Sequence, residues 1–438
     1  MQTGSKKLTP ILIKAALGVA IFGLAFPIYG IPMGTFKLTL FRAGNFWLLF
    51  AALLYGIRWR NTNSRKVLLL FSVFAIIRAH SLLVLAAEKS GGIQQIVWFM
   101  EGICFLLVIN SLSGQFDDFY EVFLRTLFFI GGISVAIMVV QEVMLFFGEK
   151  WLIPLSTSRF GIEETHRAWS YPFYGGQILG AFYEPNMAGS MCAFFIAVFL
   201  PCALQYSNVL RVSRYLVMLA IVVTIGALIG TGSRQGVVAV SLVTILTAVK
   251  SRGTKKLLSA SIVAGLFLTL FLFVKSRDTL GLDILPETVF DRTVKGMESD
   301  KPTGGRLEYS LQTLENIKLK HLLFGVGEGM GVHVAHNAYV IVLEEDGLVG
   351  LVCLLWLSVF FVYKTTRYLS KKYCYGDMPL NISSAGVVLV WIVLIFINWA
   401  QLNVSISYLY LAIPLMNFTY AQKNQNCLRL PAPSKAQS

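Results

Sequence analysis

The sequence predicts an all-α polytopic membrane protein with about twelve transmembrane helices and one large extramembrane loop that carries an amphipathic helix. Hydrophobic residues make up 56% of the 438 residues, and charged residues make up only 14%. The mean hydropathy is +0.67, and the apolar residues fall into runs of about twenty. This composition excludes an ordinary soluble domain. We interpret residues 1–438 as a single membrane domain.

The apolar runs place the predicted spans in three groups along the chain, at about twenty residues a span. The first group comprises Ile11–Ile31, Leu40–Ile57, Val67–Ala87, Ile93–Leu112 and Val122–Phe147. The second comprises Asn186–Leu204, Tyr215–Gly230, Gln235–Val249 and Leu257–Val274. The third comprises Asn337–Tyr363, Ala385–Ala400 and Val404–Tyr420. The first run is too long for the apolar region of a signal peptide, so we expect it to remain uncleaved.

The basic residues predict the orientation of these spans. The net charge is +14, but the basic residues recur in short loops between apolar runs and do not form one patch, which argues against a nucleic-acid partner. Six clusters fall on one side of the membrane, beginning at Lys6, Arg58, Arg211, Lys250, Lys364 and Lys423. By the positive-inside rule both termini are cytoplasmic, including a tail at about 421–438.

This topology places two long loops, about 148–180 and 275–336, on the outer side. None of the six cysteines lies in these loops, so no disulfide framework is predicted. In the second loop Leu307, Leu311, Leu314 and Ile317 recur at helical spacing. They predict an amphipathic helix over Arg306–Lys318, which lies on the membrane or on the helix bundle.

Two arginines lie next to glycines on the predicted outer side, Arg234 at the boundary of a span and Arg306 within the second outer loop. Arg234 lies in Gly232-Ser233-Arg234-Gln235-Gly236, and Arg306 follows Gly304-Gly305. A guanidinium binds phosphate oxygens bidentately and stays charged when it is desolvated. Because a cation at a helix N-terminus opposes the helix dipole, the position of Arg306 favours a functional role. The alternative interpretation of Arg234 is an arginine that snorkels to the membrane surface.

The second outer loop returns to the membrane at His336-Asn337. Asn337 is a favourable N-cap for the helix that follows. The positive end of that helix would lower the pKa of the His336 imidazole and keep it neutral. A neutral imidazole accepts a proton from a hydroxyl group; the alternative is a loop histidine without a role. His333 and His336 lack a third ligand at a recognisable spacing, so no metal site is predicted.

Arg78 and Glu101 are charged residues inside two adjacent predicted spans. Arg78 lies nine residues before Ala87, and Glu101 lies eight residues after Ile93. At about 1.5 Å per residue both lie roughly 12–13 Å below the outer surface. We expect an ion pair that joins the two helices, with substrate binding by Arg78 as the alternative.

Several of these motifs resemble one family. Gly232-Ser233-Arg234-Gln235-Gly236 resembles the Gly-Ser-Arg-x-Gly turn of the O-antigen ligase and O-antigen polymerase (Wzy-type) superfamily of bacterial membrane glycosyltransferases. Gly304-Gly305-Arg306, with Phe324-Gly325-Val326-Gly327 after a helix, is similar to that family's large periplasmic loop. The remaining similarities are His336-Asn337 with Gly347-x-x-Gly350, which match its histidine signature in spacing, and the Pro-Asn element in Glu184-Pro185-Asn186. The resemblance is specific from about Tyr183 to Leu354.

The resemblance implies a GT-C-like fold and a metal-independent, inverting glycosyltransferase that needs no cofactor. The enzyme would lie in the bacterial inner (cytoplasmic) membrane, with its active site facing the periplasm and a glycan on undecaprenyl pyrophosphate as donor. Carried over by motif, Arg234 and Arg306 would neutralise the pyrophosphate, and His336 would activate the acceptor hydroxyl beside Asn337. Two arginines in a water-poor cleft are a physically sensible replacement for a metal ion.

The superfamily contains more than one activity. A polymerase joins one lipid-linked repeat unit to another, whereas a ligase transfers the finished chain to lipid A-core. A third group glycosylates proteins and is expected to carry an extra C-terminal periplasmic domain, which this sequence lacks. Arg159 and Arg167 in the first outer loop are expected to bind a second pyrophosphate in a polymerase or lipopolysaccharide phosphates in a ligase. We favour the polymerisation of O-antigen or exopolysaccharide repeat units, with a chain-length regulator as a further partner.

A flippase or transporter is the alternative from a different class. Such a protein would also bury charges such as Arg78 and Glu101. The sequence has no internal repeat and no pair of interrupted helices in matching positions, which transporters commonly have. The chemically useful residues concentrate in one outer loop, and that favours an enzyme.

Overall fold

The computed structural model describes residues 8–27, 30–33, 36–56, 62–81, 89–146, 180, 182, 185–205, 209–250, 306–327, 337–370, 377–397 and 407–429. Within these ranges the regular structure is helical apart from one β-hairpin. The helices are α1 Ile11–Ala25, α2 Leu40–Leu54, α3 Thr62–His80, α4 Lys89–Gln115, α5 Phe119–Phe146, α6 Pro185–Gln205, α7 Arg214–Thr231, α8 Arg234–Lys250, α9 Arg306–Asn316, α10 Ala338–Leu369, α11 Met378–Ile397 and α12 Ser407–Arg429.

The predicted spans agree with the described helices. Each predicted span other than Leu257–Val274 overlaps one helix, and Leu257–Val274 lies outside the described residues. Five of the described helices are long and apolar enough to cross a membrane, namely α5, α6, α7, α10 and α11. The shorter helices α1 and α2 are also apolar. The chain is therefore a helical membrane protein, while the count of twelve spans and the GT-C-like arrangement stay predictions.

A β-hairpin between α1 and α2 was not predicted. Strand β1, Gly30–Met33, pairs antiparallel with β2, Phe36–Thr39, and Gly30 lies opposite Thr39. Thr39 then caps α2, because its side chain accepts a hydrogen bond from the Arg42 amide at 3.2 Å. The two strands fall within and beside the first predicted span, so that span ends as a helix six residues earlier than expected, at Ala25 instead of Ile31.

Helix α6 lies at the centre of the bundle. Its apolar length is fully buried, and it packs against α7, α8 and α11. Phe128 of α5 packs on Phe195 and Phe199 of α6, with ring centroids 5.9 and 5.3 Å apart. Protein therefore encloses α6 on all sides. Asn186 at its start bonds to Ser233 and Gln235 at the turn between α7 and α8.

Polar contacts divide the bundle into two ends. At the first, which we call the site end, the turn between α7 and α8 meets the start of α6, where Ser233 Oγ lies 3.4 Å from Asn186 Oδ1. At the opposite end, Thr9 before α1 donates to Asp118 before α5, at 2.7 Å from its amide and 2.6 Å from its hydroxyl. Lys423 in the last part of α12 joins this end through the Phe116 carbonyl at 3.1 Å. The starts of α6 and α8 and the end of α7 therefore lie at the site end, and the starts of α1 and α5 and the end of α12 lie at the opposite end. Which end faces the cytoplasm stays a prediction.

Candidate functional site

The turn between α7 and α8 is built by its glycine and serine. Gly232 ends α7 in the left-handed region, with φ of 61°. Ser233 then begins α8, because its Oγ accepts a hydrogen bond from the Gly236 amide at 3.3 Å, as an N-cap does. The predicted tight turn is confirmed. Its consequence is that Arg234 becomes the first residue of α8.

The turn is fixed against the start of α6. Asn186 accepts from Ser233 Oγ through its side chain and from Gln235 Nε2 through its carbonyl, the latter at 3.3 Å. A Cβ on Gly236 would lie 3.0 Å from the carbonyl oxygen of Gly189, so a glycine at this position allows α8 to approach α6 closely. The Pro-Asn element and the Gly-Ser-Arg-Gln-Gly turn are therefore two halves of one structure.

Arg234 is a partly buried cation at this turn. Within the described ranges no carboxylate lies within ion-pair distance of it. The first amides of α8 add positive potential at the same place. A half-buried guanidinium beside a helix N-terminus is a favourable environment for a phosphate oxygen.

Arg306 is the first residue of α9, as predicted, and the helix ends at Asn316, two residues before the predicted Lys318. Helix α9 packs against α10, and its Thr313 is buried. Leu311 and Leu314 remain 50% and 42% exposed. The apolar side of α9 is therefore not covered by the described part of the chain.

Asn337 caps α10, as predicted. Its side-chain oxygen accepts a hydrogen bond from the Tyr339 amide at 2.9 Å. Tyr339 lies beside Phe396 near the end of α11, with ring centroids 6.4 Å apart, which places Asn337 at the site end. His336 precedes Asn337 directly but lies outside the described residues, as do His333, Arg159 and Arg167.

Helix α10 is interrupted at Gly347. The φ of 71° and ψ of −169° at this residue belong to a region that only glycine occupies readily. Residues 338–346 and 348–369 are therefore two helical segments that meet at a kink. A Cβ on Gly350 would overlap Asp346 Cβ, so the absence of a side chain there makes room for Asp346. The Gly347-x-x-Gly350 spacing thus combines a break with space for an acidic side chain.

The loop 322–327, which follows α9, takes over the hydrogen bonds that the break removes. In a continuous helix the amides of residues 348 and 349 would donate to the carbonyls of 344 and 345. The four bonds that replace them are Val326 N to Glu344 O (2.8 Å), Gly327 N to Glu345 O (3.1 Å), Leu348 N to Leu322 O (2.8 Å) and Val349 N to Leu323 O (3.3 Å). We call this pairing of 322–327 with 344–349 the splice. The splice therefore provides hydrogen-bond partners for the backbone groups that the break leaves without partners in the helix.

Arg78 binds the acidic residues beside the splice. Its Nη1 lies 2.6 Å from Glu345 Oε2 and 2.9 Å from Asp346 Oδ2, and all three side chains are buried. Ser81 Oγ, directly after α3, donates to the Glu345 carbonyl at 2.9 Å. His80 packs on Phe324 of the loop, with ring centroids 6.1 Å apart. The end of α3 therefore contacts both sides of the splice.

The prediction that Arg78 pairs with Glu101 is wrong. Glu101 instead binds Arg42 of α2, whose Nε lies 2.7 Å from Glu101 Oε1, and the Glu101 carbonyl accepts from Asn45 Nδ2 at 2.8 Å. Equal depth in adjacent helices does not determine which neighbour a side chain faces. Arg78 faces α10, whereas Glu101 faces α2. The substrate-binding role of Arg78 stays a prediction.

Sequence reasoning missed the acidic residues of the site. Glu344, Glu345 and Asp346 are buried, with side chains that point into protein. The available signal was an acidic triplet followed by glycine inside an otherwise apolar span. Buried carboxylates in a membrane helix require partners, and Gly347 marked the break. Within the described residues, no group of three or more His, Cys, Asp or Glu side chains could hold a metal ion.

Residues 219–355 match a family model described as O-antigen ligase. The matched segment contains the α7–α8 turn with Arg234, α9 with Arg306 as its first residue, and the splice with Gly347. It therefore covers most of the motifs that carry the resemblance seen in the sequence, which the match confirms. The chain matches no curated protein.

Proposed function

We propose that the chain transfers a glycan from undecaprenyl pyrophosphate to a sugar hydroxyl, as O-antigen ligases and O-antigen polymerases do. The match of residues 219–355 to the O-antigen ligase family model supports this proposal. The reaction takes place on the periplasmic face of the bacterial inner membrane. It needs no metal ion and inverts the configuration of the anomeric carbon. The polymerisation of O-antigen or exopolysaccharide repeat units is the activity that we favour.

The observation that carries this proposal is the setting of Arg234. It is a partly buried cation without an ion-pair partner among the described residues, at the N-terminus of α8 and inside the family segment. The leaving group of the reaction is a diphosphate, which gains negative charge as the glycosidic bond breaks. A fixed guanidinium and helix amides stabilise such charge most strongly where water is excluded. Arg306, at the start of α9, would contribute the second cation.

His336 is the proposed general base. Asn337 caps α10 through the Tyr339 amide, and His336 directly precedes Asn337 in the sequence. A histidine close to the positive end of a helix would be favoured as the neutral imidazole. The imidazole would take the proton of the acceptor hydroxyl while its oxygen attacks the anomeric carbon. The bond to the diphosphate breaks on the opposite side, and this single displacement accounts for inversion.

A ligase that transfers the glycan to lipid A-core is the main alternative. Both activities need the donor site, so Arg234, Arg306 and His336 do not distinguish them. Arg159 and Arg167 would bind a second lipid pyrophosphate in a polymerase and core phosphates in a ligase. The neighbouring genes separate the two: a repeat-unit flippase and a chain-length regulator favour a polymerase, and core-sugar transferases favour a ligase.

A flippase gains one argument from the structure, because transporters often bind ions at broken membrane helices and α10 is broken at Gly347. However, the four hydrogen bonds of the splice fill this break with the chain's own backbone. The Arg78 guanidinium contacts the carboxylates beside it. Because a tethered cation occupies the place where an ion would bind, the break favours an enzyme.

Purified protein in detergent with lipid-linked oligosaccharide tests the proposal. As general base, His336 should contribute a factor of about 10²–10⁴ in rate, so His336→Ala should give no longer glycan on a gel. The matched control is His333→Ala, which should retain activity. Arg306→Lys should be nearly as damaging as Arg306→Ala, since an ammonium cannot bind a diphosphate bidentately. Full turnover by His336→Ala, or loss of activity with EDTA, would contradict the mechanism.

A further inference from the structure

The splice connects two parts of the chain that the proposed reaction uses together. Arg306 lies sixteen residues before Leu322, where the splice begins on the loop side. His336 lies nine residues before Glu345 on the α10 side. No other set of backbone hydrogen bonds described for the protein joins the segment after α9 to α10. Together with the packing of α9 on α10, the splice therefore fixes the position of α9 relative to the start of α10.

We propose that Arg78 is a positioning residue that holds the splice closed and so sets the position of α9, which begins at Arg306, relative to the start of α10. This inference rests on the proposed function, because only that function gives Arg306 and His336, the residue before Asn337, a common substrate. Arg78 would act through Glu345 and Asp346, the two residues before the break.

Charge and geometry support this role for Arg78. The carboxyl ends of a helical segment carry negative potential, and residues 338–346 end with two buried carboxylates beside their own terminal carbonyls. Without a cation, two buried negative charges would repel each other and the end of that segment. Arg78 Nη1 contacts both carboxylates, at 2.6 and 2.9 Å. Arg78 therefore removes the repulsion that would open the splice.

The two residues at and directly after the end of α3 also contact the splice, Ser81 on the α10 side and His80 on the loop side. Ser81 Oγ shares the Glu345 carbonyl with Gly327 N, at 2.9 and 3.1 Å. His80 packs on Phe324. Arg78 therefore lies in a segment whose neighbouring side chains contact both partners of the splice. The pair of Arg42 and Glu101 offers the comparison, because it is equally buried but lies between α2 and α4.

A cross-linking experiment measures the splice directly. Leu323 and Leu348 are adjacent across it, and their side chains are 53% and 37% exposed. In Leu323→Cys/Leu348→Cys protein, a short bismaleimide should link the two cysteines, and mass spectrometry of the linked peptide gives the yield. Arg78→Ala should lower this yield several-fold. Arg42→Ala should leave it unchanged, although both variants remove a buried cation.

Turnover of the same proteins completes the test. Since a misplacement of about 1 Å can cost about a hundredfold in rate, Arg78→Ala should lower kcat by about tenfold to a hundredfold and leave the KM for the lipid-linked donor within about twofold. Linking the two cysteines in the Arg78→Ala protein should restore most of kcat. Arg78→Lys should keep both the yield and kcat within about threefold, because one nitrogen makes both contacts. If Arg78→Ala does not fold, Arg78→Lys still tests the inference, because a kcat that falls by more than about tenfold at an unchanged cross-linking yield would contradict it.

Two results would overturn the inference. An unchanged cross-linking yield in Arg78→Ala would mean that Arg78 does not hold the splice. A raised KM for the donor with an unchanged yield would mean that Arg78 binds substrate directly. The yield is measured without substrate, so failure of the proposed glycosyl transfer leaves that result intact. Conversely, glycan transfer that is lost in His336→Ala would support the proposed function even if the cross-linking yield did not change in Arg78→Ala.

Discussion

The substitution Gly347→Ala tests the break in α10 at a single atom. The glycine has φ of 71° and ψ of −169°, where any other residue carries a strain of about 1–3 kcal/mol. The added Cβ would overlap the carbonyl of Leu323 and lie 2.5 Å from the Phe324 amide nitrogen. Both are backbone atoms of the splice, so neither can rotate away as a flexible side chain would.

The expected loss of stability follows from these two effects. If the overlap opens even two of the four hydrogen bonds of the splice, at about 0.5–1.5 kcal/mol each, the total with a strain of about 1–3 kcal/mol is about 2–6 kcal/mol. An unfolding entropy of about 2.1 cal/mol/K per residue, over 438 residues, converts this to a midpoint lower by about 2–7 °C. The fraction of monodisperse protein that remains in detergent after heating measures the midpoint.

Gly226→Ala is the matched control for this prediction. Gly226 lies inside α7 and has no atom within 4 Å of an added Cβ. In a helix interior alanine is more favourable than glycine by about 1 kcal/mol, so the midpoint should stay or rise slightly. If Gly347→Ala unfolds at the same temperature as Gly226→Ala, the break and the splice are not as described.

Three further predictions concern the cap, the second buried pair and the topology. Asn337→Ala should destabilise the first turn of α10 by about 1 kcal/mol, seen as faster amide exchange at Tyr339, whereas Asn337→Asp should not. Arg42→Ala should reduce the yield of folded protein, and Arg42→Leu/Glu101→Leu should recover much of it because no charge is stranded; equal yields would argue against this pair. Reporter fusions after residues 63, 250 and 372 should indicate the cytoplasm, and those near 163 and 300 the periplasm; one inverted fusion would overturn the orientation.

The helices were the predictable part of the fold. A transmembrane helix is encoded by about twenty consecutive apolar residues, so the apolar runs alone located each described helix of the bundle. The α7–α8 turn and the Asn337 cap were also local, because glycine, serine and asparagine act on their own backbone. The hairpin after α1 was missed because its strands are only four residues each and six of their eight residues lie in the short gap between the first two predicted spans.

The contacts between distant helices were not predictable in the same way. Arg78 and Glu101 lie at similar depth, yet they bind Glu345 and Arg42 respectively. Depth along a helix follows from counting residues, whereas the direction of a side chain depends on the packing of every neighbour. The splice was hidden for the same reason, because a loop that pairs with a broken helix leaves no periodic signal. Only Gly347, after the acidic triplet, indicated it.

The release of undecaprenyl pyrophosphate tests the central claim most directly. Purified protein in detergent is given the lipid-linked repeat unit alone, and the free lipid pyrophosphate and the lengthened glycan are counted in one sample. We expect one pyrophosphate to be released for each new glycosidic bond, and His336→Ala to form neither product. Movement of the intact lipid-linked glycan across a vesicle membrane without its cleavage, or pyrophosphate release that does not depend on His336, would contradict the proposed function.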